Sequence, residues 1–417
     1  MRMRILDGLK KERFVRGLEG RGATDLDEVE PAVRRIVRNV RCNGDRALRG
    51  YAVRWDNLAG DEPVRVPEAD LQDAWQNTSP ELQDAIAQAA GNIRRYCKWQ
   101  KPKEWRREIR PGVCVGQLVR PLESVGCYVP GGRYPLPSTL LMTVIPAQVA
   151  GVPEVRVVSP RPAQTTLAAA AFLGVHEFYR VGGAQAVAAL AYGTESVPRV
   201  SKIVGPGNRY VTAAKKLVGF DCAIEFLAGP TEAVIISAEG DPVFIASDLV
   251  AQAEHDPDAL CILVTNSREL ATAVQTKVQE SVRTNPIAAQ SLSRNGAILV
   301  VASLEEAIEI ANRIAPEHLT LPAALELAVK NAGSIFLDEF TPQSAGDYIS
   351  GPNHVLPTGA MARLRGGLSV LDYVRIIACQ RVSREGIRAI APPAIVLAES
   401  EGLRAHAESL RVRCRYA

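Results

Sequence analysis

The sequence predicts an α/β protein whose parallel sheets are flanked by helices. Short runs of β-branched residues alternate with Ala-rich helical stretches between residues 126 and 232, and a similar alternation resumes at residue 233. Such alternation is typical of βαβ units, in which neighbouring strands run parallel. The length of 417 residues exceeds what one hydrophobic core usually supports. We therefore expect two or more domains.

The first hundred residues are predicted to be largely helical. Residues 1–24 are basic and short, and they are more like an arm than a domain. From residue 25 to about residue 105 the pattern is helical. Ser79-Pro80 supplies an N-cap followed by proline at the first helical position, and the helix that it begins is expected to last to about Lys98.

The rest of the chain supplies two sets of βαβ units and a tail. In the first set, strands are predicted over residues 155–159, 177–181 and 202–204, and helices over residues 137–150, 165–173, 184–192 and 208–217. In the second set, strands are predicted over residues 233–237, 260–265 and 297–301, with helices that begin at Pro242 and Leu304. Pro316 ends the latter helix. The tail from about residue 368 carries Pro392-Pro393 and is then predicted to be helical through His406.

Composition excludes several classes of protein. The hydrophobic fraction of 47% and the charged fraction of 23% are ordinary for a globular protein, and a formal net charge of +3 is too slight to indicate binding to nucleic acid or to an anionic membrane. The eight cysteines are scattered without a CxxC pair, which favours free thiols in a reducing compartment. Neither a signal peptide nor an apolar run of about 20 residues is evident. We expect a cytoplasmic protein.

Three glycine-rich turns are candidates for binding a nucleotide. Pro130-Gly131-Gly132 is the first, and Gly182-Gly183 and Gly205-Pro206-Gly207 each follow a predicted strand and precede a helix. Backbone N–H groups and the helix dipole favour a phosphate at such a place. Glu225 lies 20 residues beyond Gly205, as in a dinucleotide fingerprint, although the third glycine of that fingerprint is missing. Each of these turns has two possible roles: to bind phosphate, or only to connect neighbouring elements by a tight turn.

One stripe of a helix carries candidate metal ligands. The chain has only five histidines, and histidine is the commonest metal ligand. Asp248, Gln252 and His255 are spaced i, i+4 and i+7 on the helix that begins at Pro242. Gln252 and His255 are about 60° apart around the helix axis, so both can reach one ion. The alternative is a solvated face with a C-terminal histidine that complements the helix dipole.

Proton-transfer groups follow later in the chain. Glu317-His318 pairs a carboxyl with an imidazole, and both serve one site only if the backbone is irregular, because neighbours in a regular strand point to opposite faces. Asp347 and His354 lie in a turn-rich segment, where polar side chains are often functional. His406 lies far away on the final helix and, taken alone, is most simply a surface histidine.

Three of these motifs together resemble the histidinol dehydrogenase family: Gln252-Ala-Glu-His255, Pro316-Glu-His-Leu319, and the segment of residues 346–358. The resemblance covers essentially the whole chain. It implies one Zn²⁺ per subunit, held by Gln252, His255, Asp347 and, from the other subunit of a homodimer, His406. It implies NAD contacts at Tyr128, Gln185 and Asn208. It implies a catalytic acid/base pair, Glu317 and His318.

The resemblance also implies the substrate contacts and the domain plan. Substrate is expected to contact the four zinc ligands and His318, together with His354, Glu401 and Thr231, where threonine stands at a position at which serine is common. The fold implied is two incomplete Rossmann-like domains. The first combines residues 25–127 with residues 233–367 and carries the catalytic and metal residues, and the second, residues 128–232, contacts NAD. Residues 1–24 and 368–417 are then small dimerisation segments, and the latter reaches the partner's site. An incomplete Rossmann fold gives Glu225 no ribose role.

The reaction implied is the conversion of L-histidinol through L-histidinaldehyde to L-histidine in two successive NAD-dependent oxidations, the last steps of histidine biosynthesis. His318 is expected to take the alcohol proton and Glu317 to activate water for the second oxidation. Three alternatives remain: a dehydrogenase of the same fold for another small alcohol, a zinc hydrolase in which Glu317 activates water, and a non-catalytic binding protein. His354 and Glu401 argue against the first alternative.

Overall fold

A computed structural model describes residues 3–21, 26–131 and 134–417 of the chain. Gly132 and Arg133 of the first glycine-rich turn, and part of the predicted N-terminal arm, lie outside the described residues. The strands are β1 (Arg4–Leu6), β2 (Trp105–Arg110), β3 (Val113–Pro121), β4 (Ser124–Tyr128), β5 (Glu154–Val158), β6 (Glu177–Tyr179), β7 (Lys202–Val204), β8 (Ala223–Ile224), β9 (Glu232–Ile236), β10 (Leu260–Thr265), β11 (Ala297–Val300), β12 (His318–Leu321), β13 (Ser334–Leu337) and β14 (Val374–Val382).

The helices are α1 (Gly8–Glu19), α2 (Glu30–Trp55), α3 (Glu68–Gln76), α4 (Pro80–Gln100), α5 (Pro137–Ala150), α6 (Gln164–Phe172), α7 (Gly183–Tyr192), α8 (Arg209–Val218), α9 (Pro242–Ala253), α10 (Arg268–Ser281), α11 (Pro286–Arg294), α12 (Leu304–Ile314), α13 (Gln343–Tyr348), α14 (Arg384–Ser400) and α15 (Arg404–Tyr416). No helix in the described ranges has the length and the apolar character needed to cross a bilayer.

A five-stranded sheet forms from the middle of the chain. Its order is β6-β5-β4-β7-β8, and every pairing in it is parallel. Helices α5 to α8 connect these strands, as the alternation of β-branched and Ala-rich runs predicts. The strands predicted over residues 155–159, 177–181 and 202–204 are confirmed as β5, β6 and β7.

A six-stranded sheet forms mainly from the second set of units. Its order is β1-β11-β10-β9-β12-β13, again with every pairing parallel. Without β1, the two parallel sheets share one topology. When the five strands of each sheet are numbered along the chain, their order across the sheet is third, second, first, fourth, fifth. The N-terminal segment is part of this sheet, since β1 pairs with β11 and α1 packs against α12.

The chain also contains a small antiparallel sheet, of order β14-β3-β2, which the sequence analysis missed. The tail from residue 368 is therefore not wholly helical, because β14 precedes its two helices. Pro392 and Pro393 lie inside α14 rather than before a helix. All six residues of β2, WRREIR, are exposed, so the strand lacks the alternation of buried and solvated positions that identifies most strands.

The helices of the first hundred residues pack on the five-stranded sheet. Helix α2 contacts α7 and α8, α3 contacts α6, and α4 contacts α5. Buried side chains such as Leu48 and Ile93 belong to the cores of that sheet. These helices therefore bury their apolar faces against α5 to α8 of the five-stranded sheet. The expected domain plan instead grouped residues 25–127 with residues 233–367.

Candidate active site

A cavity of about 590 Å³ lies where the two parallel sheets face each other. One wall consists of residues just beyond the carboxyl ends of β4 and β7, including Pro206 and Asn208. The opposite wall consists of residues at the amino ends of β9 and β12, including Thr231 and His318. Strand order reverses between β4 and β7, and open α/β sheets bind their ligands in the crevice at such a point.

Glu317 and His318 both line this cavity, although they are adjacent in sequence. His318 is the first residue of β12, so Glu317 precedes the regular strand and is free of its alternation. Both side chains are buried, and Glu317 Oε2 lies 3.6 Å from His318 Nδ1. On the other side of the imidazole, Nε2 lies 3.6 Å from Asp347 Oδ1. The imidazole thus lies between two carboxylates.

This arrangement favours a proton on His318. Burial lowers the pKa of its imidazole, but Glu317 and Asp347 outweigh burial and raise that pKa to about 10. Burial raises the pKa of the Glu317 carboxyl, and the charge of His318 opposes the rise. His318 also lowers the pKa of Asp347, against the effect of burial. For His318 to act as a base near neutral pH, the charge beside it has to change.

Gln252, His255 and Asp347 converge on the same cavity. Helix α9 carries Gln252, which is 1% exposed, and His255 follows two residues after the helix ends. Asp347 comes from α13, and its Oδ2 accepts a hydrogen bond of 3.1 Å from Gln252 Nε2. No three side chains of His, Cys, Asp or Glu are grouped to hold a metal ion within the described residues. The donors that meet here are instead an amide, an imidazole and a carboxylate, a set that fits zinc only if a fourth ligand is added.

His354 lines the cavity beside these donors. Its Nδ1 lies 2.7 Å from the Asp347 carbonyl oxygen, which can only accept, so Nδ1 carries the hydrogen. Burial lowers the pKa of His354, which leaves Nε2 as an acceptor for the Thr139 hydroxyl at 3.1 Å. The ring is therefore fixed as one neutral tautomer. Thr139 was not predicted as a site residue, because a threonine inside a buried helix shows no sequence pattern that indicates function.

Asp248 does not join the site. It lines a separate cavity beyond the carboxyl ends of β9 and β12, together with Asp338 and Phe340. A helix rises about 1.5 Å per residue, so Asp248 lies roughly 6 Å from Gln252 along the axis even though the two share a face. The stripe predicted on α9 therefore serves two cavities, and only its last two members face the candidate active site.

The Gly182-Gly183 turn is closed by the protein itself. Asp56, at the end of α2, is 7% exposed, and its Oδ2 accepts the Gly182 N–H over 3.1 Å and Gln185 Nε2 over 3.0 Å. The Gly183 N–H donates to the Tyr128 hydroxyl over 2.9 Å. Tyr128 lines the cavity, whereas Gln185 is buried against Asp56 and does not line it. The predicted phosphate position at the start of α7 is therefore occupied by a carboxylate.

The Gly205 turn is closed in the same manner. Glu225 Oε1 accepts the Gly205 N–H over 2.8 Å and pairs with Lys215 Nζ over 2.7 Å. Asn208 caps α8 with its own side chain, which accepts from the N–H groups of Tyr210 and Val211. Asn208 lines the cavity. Glu225 thus has a structural role and does not line the cavity, and carboxylates already accept the N–H groups of Gly182 and Gly205.

Glu401 and His406 lie apart from this cavity. Both are exposed, and neither is among the residues that line it. They lie at the end of α14 and in α15, which pack against each other, and the strand before them pairs with β3. A single chain therefore brings together every other predicted metal or substrate residue, but not these two.

The buried acids Asp56 and Glu232 are site residues that the sequence analysis missed. Glu232 is the first residue of β9, and its N–H donates to Glu317 Oε2 over 3.0 Å. An isolated acid at the end of a helix or the start of a strand is most simply interpreted as solvated, so sequence alone gave no signal for either residue.

Comparisons with known proteins identify the family of the chain. The sequence profile of the histidinol dehydrogenase family matches residues 19–414. The histidinol dehydrogenase of Methanothermobacter thermautotrophicus is 47% identical over 418 residues, covering 97% of each chain. That of Aquifex aeolicus is 44% identical over 425 residues, covering 99% of each. The crystal structure of histidinol dehydrogenase from Elizabethkingia anophelis matches with a TM-score of 0.93 and 34% identity, covering 99% of this chain and 98% of that one. The chain therefore belongs to the histidinol dehydrogenase family of oxidoreductases.

Proposed function

We propose that this chain converts L-histidinol to L-histidine through L-histidinaldehyde, in two successive oxidations that each reduce one NAD⁺, as the last steps of histidine biosynthesis. The observation that carries the proposal is the meeting of Glu317 and His318 with Gln252, His255 and Asp347 in one cavity. Family membership supports the substrate and the reaction class.

The first oxidation needs a group that takes the alcohol proton. His318 is the proposed base, because its imidazole lines the cavity and is fixed between Glu317 and Asp347. The same two carboxylates raise its pKa, so their charge has to be partly neutralised before the imidazole is free to accept a proton.

The second oxidation needs water added to the aldehyde carbon. Glu317 is the proposed group for this step, since its carboxyl is buried in the cavity and burial raises its pKa above the ordinary value. A carboxyl of raised pKa exchanges protons efficiently with a bound water molecule. The water oxygen becomes the second oxygen of the carboxylate product, and its two protons leave in two transfers.

Gln252, His255 and Asp347 are the proposed zinc ligands of this chain, with His406 of the partner subunit as the fourth. Zinc bound by them would hold nitrogen atoms of the substrate and reduce the negative charge around Asp347. His354, Glu401 and Thr231 are proposed to contact substrate. The neutral ring of His354 lines the cavity without adding charge to it, and its Nε2 can accept from substrate only in place of the Thr139 hydroxyl.

A homodimer is proposed because the C-terminal segment carries the two residues that the cavity lacks. This segment also has exposed apolar side chains. Ile376 is 52% exposed, and Val396 and Leu397 on α14 are 65% and 64% exposed. Large apolar side chains left exposed on one segment are often covered by a partner in an assembly. The N-terminal segment is proposed as a smaller part of the same interface, although β1 and α1 also pack within their own chain.

The proposed NAD site is the crevice beyond β4 and β7. Tyr128 and Asn208 line it, and Gln185 is proposed as a further contact, which NAD reaches only after the Gln185 amide leaves Asp56. NAD⁺ bound there would accept the hydride in each oxidation. The volume of about 590 Å³ is typical of small-molecule and cofactor sites. The shared order of five parallel strands in both sheets supports two incomplete Rossmann-like units. A cytoplasmic location is also proposed, and the eight free cysteines support a reducing compartment.

The test is the yield of NADH from histidinol, measured by absorbance with and without a chelator. Two NADH per histidinol consumed are expected, with loss of activity after zinc removal and recovery on zinc addition. A steady yield of one NADH contradicts the two-step scheme. Glu317→Ala should spare the first oxidation and slow the oxidation of supplied histidinaldehyde.

The proposed dimer has its own test. Inactive His255→Ala and inactive His406→Ala chains are mixed under conditions that exchange subunits. Recovery of activity in the heterodimer is expected, because one of its two sites then has all four ligands. A verified heterodimer without activity would place His406 in the site of its own chain.

A further inference from the structure

Glu232 contacts both proposed catalytic residues through its main chain. Its N–H donates to Glu317 Oε2 over 3.0 Å, and its carbonyl oxygen lies 3.4 Å from His318 Nδ1. These contacts follow from the sheet, in which β9 and β12 run parallel with His318 opposite Ala233. The orientation of the backbone at Glu232 therefore sets the positions of the Glu317 carboxyl and the His318 ring together.

The side chain of Glu232 is anchored in turn. Its Oε1 accepts a hydrogen bond from Arg21 Nε over 2.7 Å and one from the Gly359 N–H over 3.0 Å. Arg21 follows α1 and also donates to the carbonyl oxygens of Leu18 and Ile314. Glu232 is thus tied to the N-terminal segment, to the last turn of α12 and to the loop at Gly359.

The ion pair with Arg21 uses one oxygen of the Glu232 carboxylate and leaves the other buried. The residue is 4% exposed, and its Oε2 is buried without a hydrogen-bond partner among the described residues. A buried carboxylate oxygen without a partner costs stability. The groups facing Glu317 are Glu232, His318 and, more distantly, Cys261. Glu232 is the one that places a fixed negative charge beside it.

We propose that Glu232, held by Arg21, is a positioning residue that fixes Glu317 and His318 and favours the protonated form of Glu317. This inference rests on the roles proposed above for Glu317 and His318. It assigns the N-terminal segment a task inside its own chain, because Arg21 connects that segment to the site. The negative charge of Glu232 opposes ionisation of Glu317, in the same direction as burial.

The test compares Glu232→Gln with a matched control. The glutamine keeps an oxygen that can accept from Arg21 and Gly359 but removes the charge. The control is Glu306→Gln, which removes the charge of an analogous pair between α1 and α12, with Lys11, and does not line the cavity. Steady-state rates are measured for histidinol and for supplied histidinaldehyde across a pH series, and thermal midpoints are recorded for every variant.

Glu232→Gln should lower kcat for histidinaldehyde about tenfold, because a Glu317 carboxylate of lower pKa is a weaker base towards water. KM for histidinol and for NAD⁺ should stay within about twofold of the parent, since no binding contact is removed. The acid limb of its pH profile should move to lower pH, since the pKa of Glu317 falls when the neighbouring charge is removed. Arg21→Met should lower kcat, and Arg21→Lys, which keeps a donor, should lose less. Glu306→Gln should match the parent.

Two results would overturn the proposal. One is a Glu232→Gln variant with parental kcat and pH profile. The other is a loss of activity that vanishes when rates are divided by the folded fraction, which would leave Glu232 a purely structural residue. Failure of the proposed function looks different, because the parent itself would then produce no NADH from histidinol, or Glu317→Ala would leave histidinaldehyde oxidation intact.

Discussion

Replacing Asp248 with asparagine should stabilise the protein at neutral pH. Asp248 lies half-buried on α9 in the second cavity, and it forms no hydrogen bond or ion pair with the described residues. Burial raises its pKa from 3.8 to about 6. Because the folded-state pKa lies above the unfolded-state value, stability is lost as the pH rises through this interval and the carboxyl ionises.

The magnitude follows from the two pKa values. A rise from 3.8 to about 6 corresponds to about 3 kcal/mol once the carboxyl is fully ionised. Partial access to water reduces this, and we expect Asp248→Asn to gain about 1–2 kcal/mol at about pH 7.5. The thermal midpoint should then rise by about 1–2 °C, because the unfolding entropy of a 417-residue chain is large. At about pH 5 the gain should be roughly half as large, because the parent carboxyl is mostly protonated in the folded protein.

Thermal unfolding followed by circular dichroism at both pH values measures this effect. Asp84→Asn, which alters an exposed aspartate on α4, is the control and should leave the midpoint unchanged at either pH. An Asp248→Asn variant with no rise near neutral pH would refute the reasoning. A rise of equal size at both pH values would also refute it, since the gain would then not come from ionisation.

Three further predictions concern the glycine-rich turns at Gly182 and Gly205, whose N–H groups are accepted by Asp56 and Glu225. Gly205→Ala should lower the free energy of unfolding by about 2–4 kcal/mol, because the φ of Gly205 is +111° and a Cβ there would lie 2.1 Å from the Tyr128 carbonyl oxygen; urea titration measures the loss. Asp56→Ala should cost about 2–4 kcal/mol by leaving two buried N–H groups without a charged acceptor, and an unchanged urea midpoint would contradict this. Lys215→Met should cost about 3–5 kcal/mol by leaving Glu225 buried and unpaired, and Lys215→Met combined with Glu225→Gln should recover part of that loss.

Much of the fold was predictable because parallel strands are buried on both faces. Every residue of β10 is buried, and its sequence LCILVT is a continuous apolar run. The small antiparallel sheet was not predictable in the same way, because β2 is exposed along its whole length and carries three arginines. Which sheet the N-terminal helices cover depends on contacts distant in sequence, and periodicity alone does not encode these.

The candidate site was predictable where local geometry decides. Helical spacing predicted that Gln252 and His255 serve one site, and both line the candidate active-site cavity. The same spacing could not show that Asp248 lines a different cavity, at the carboxyl ends of β9 and β12. Glu317 and His318 both reach the cavity because β12 begins between them, and a strand boundary of one residue is beyond sequence patterns. Whether His406 reaches the cavity of its own chain depends on where α14 and α15 pack, and sequence patterns do not encode this.

The carboxylates that fill both glycine-rich turns affect how tightly a dinucleotide can be gripped. A pyrophosphate normally gains much of its affinity from amide hydrogens at a helix start, and here Asp56 and Glu225 already accept those hydrogens. A reaction that consumes two oxidant molecules for each alcohol must release the first spent one while the half-oxidised intermediate stays behind. If NAD binds in this crevice as proposed, loose anchoring of its diphosphate would make that exchange fast.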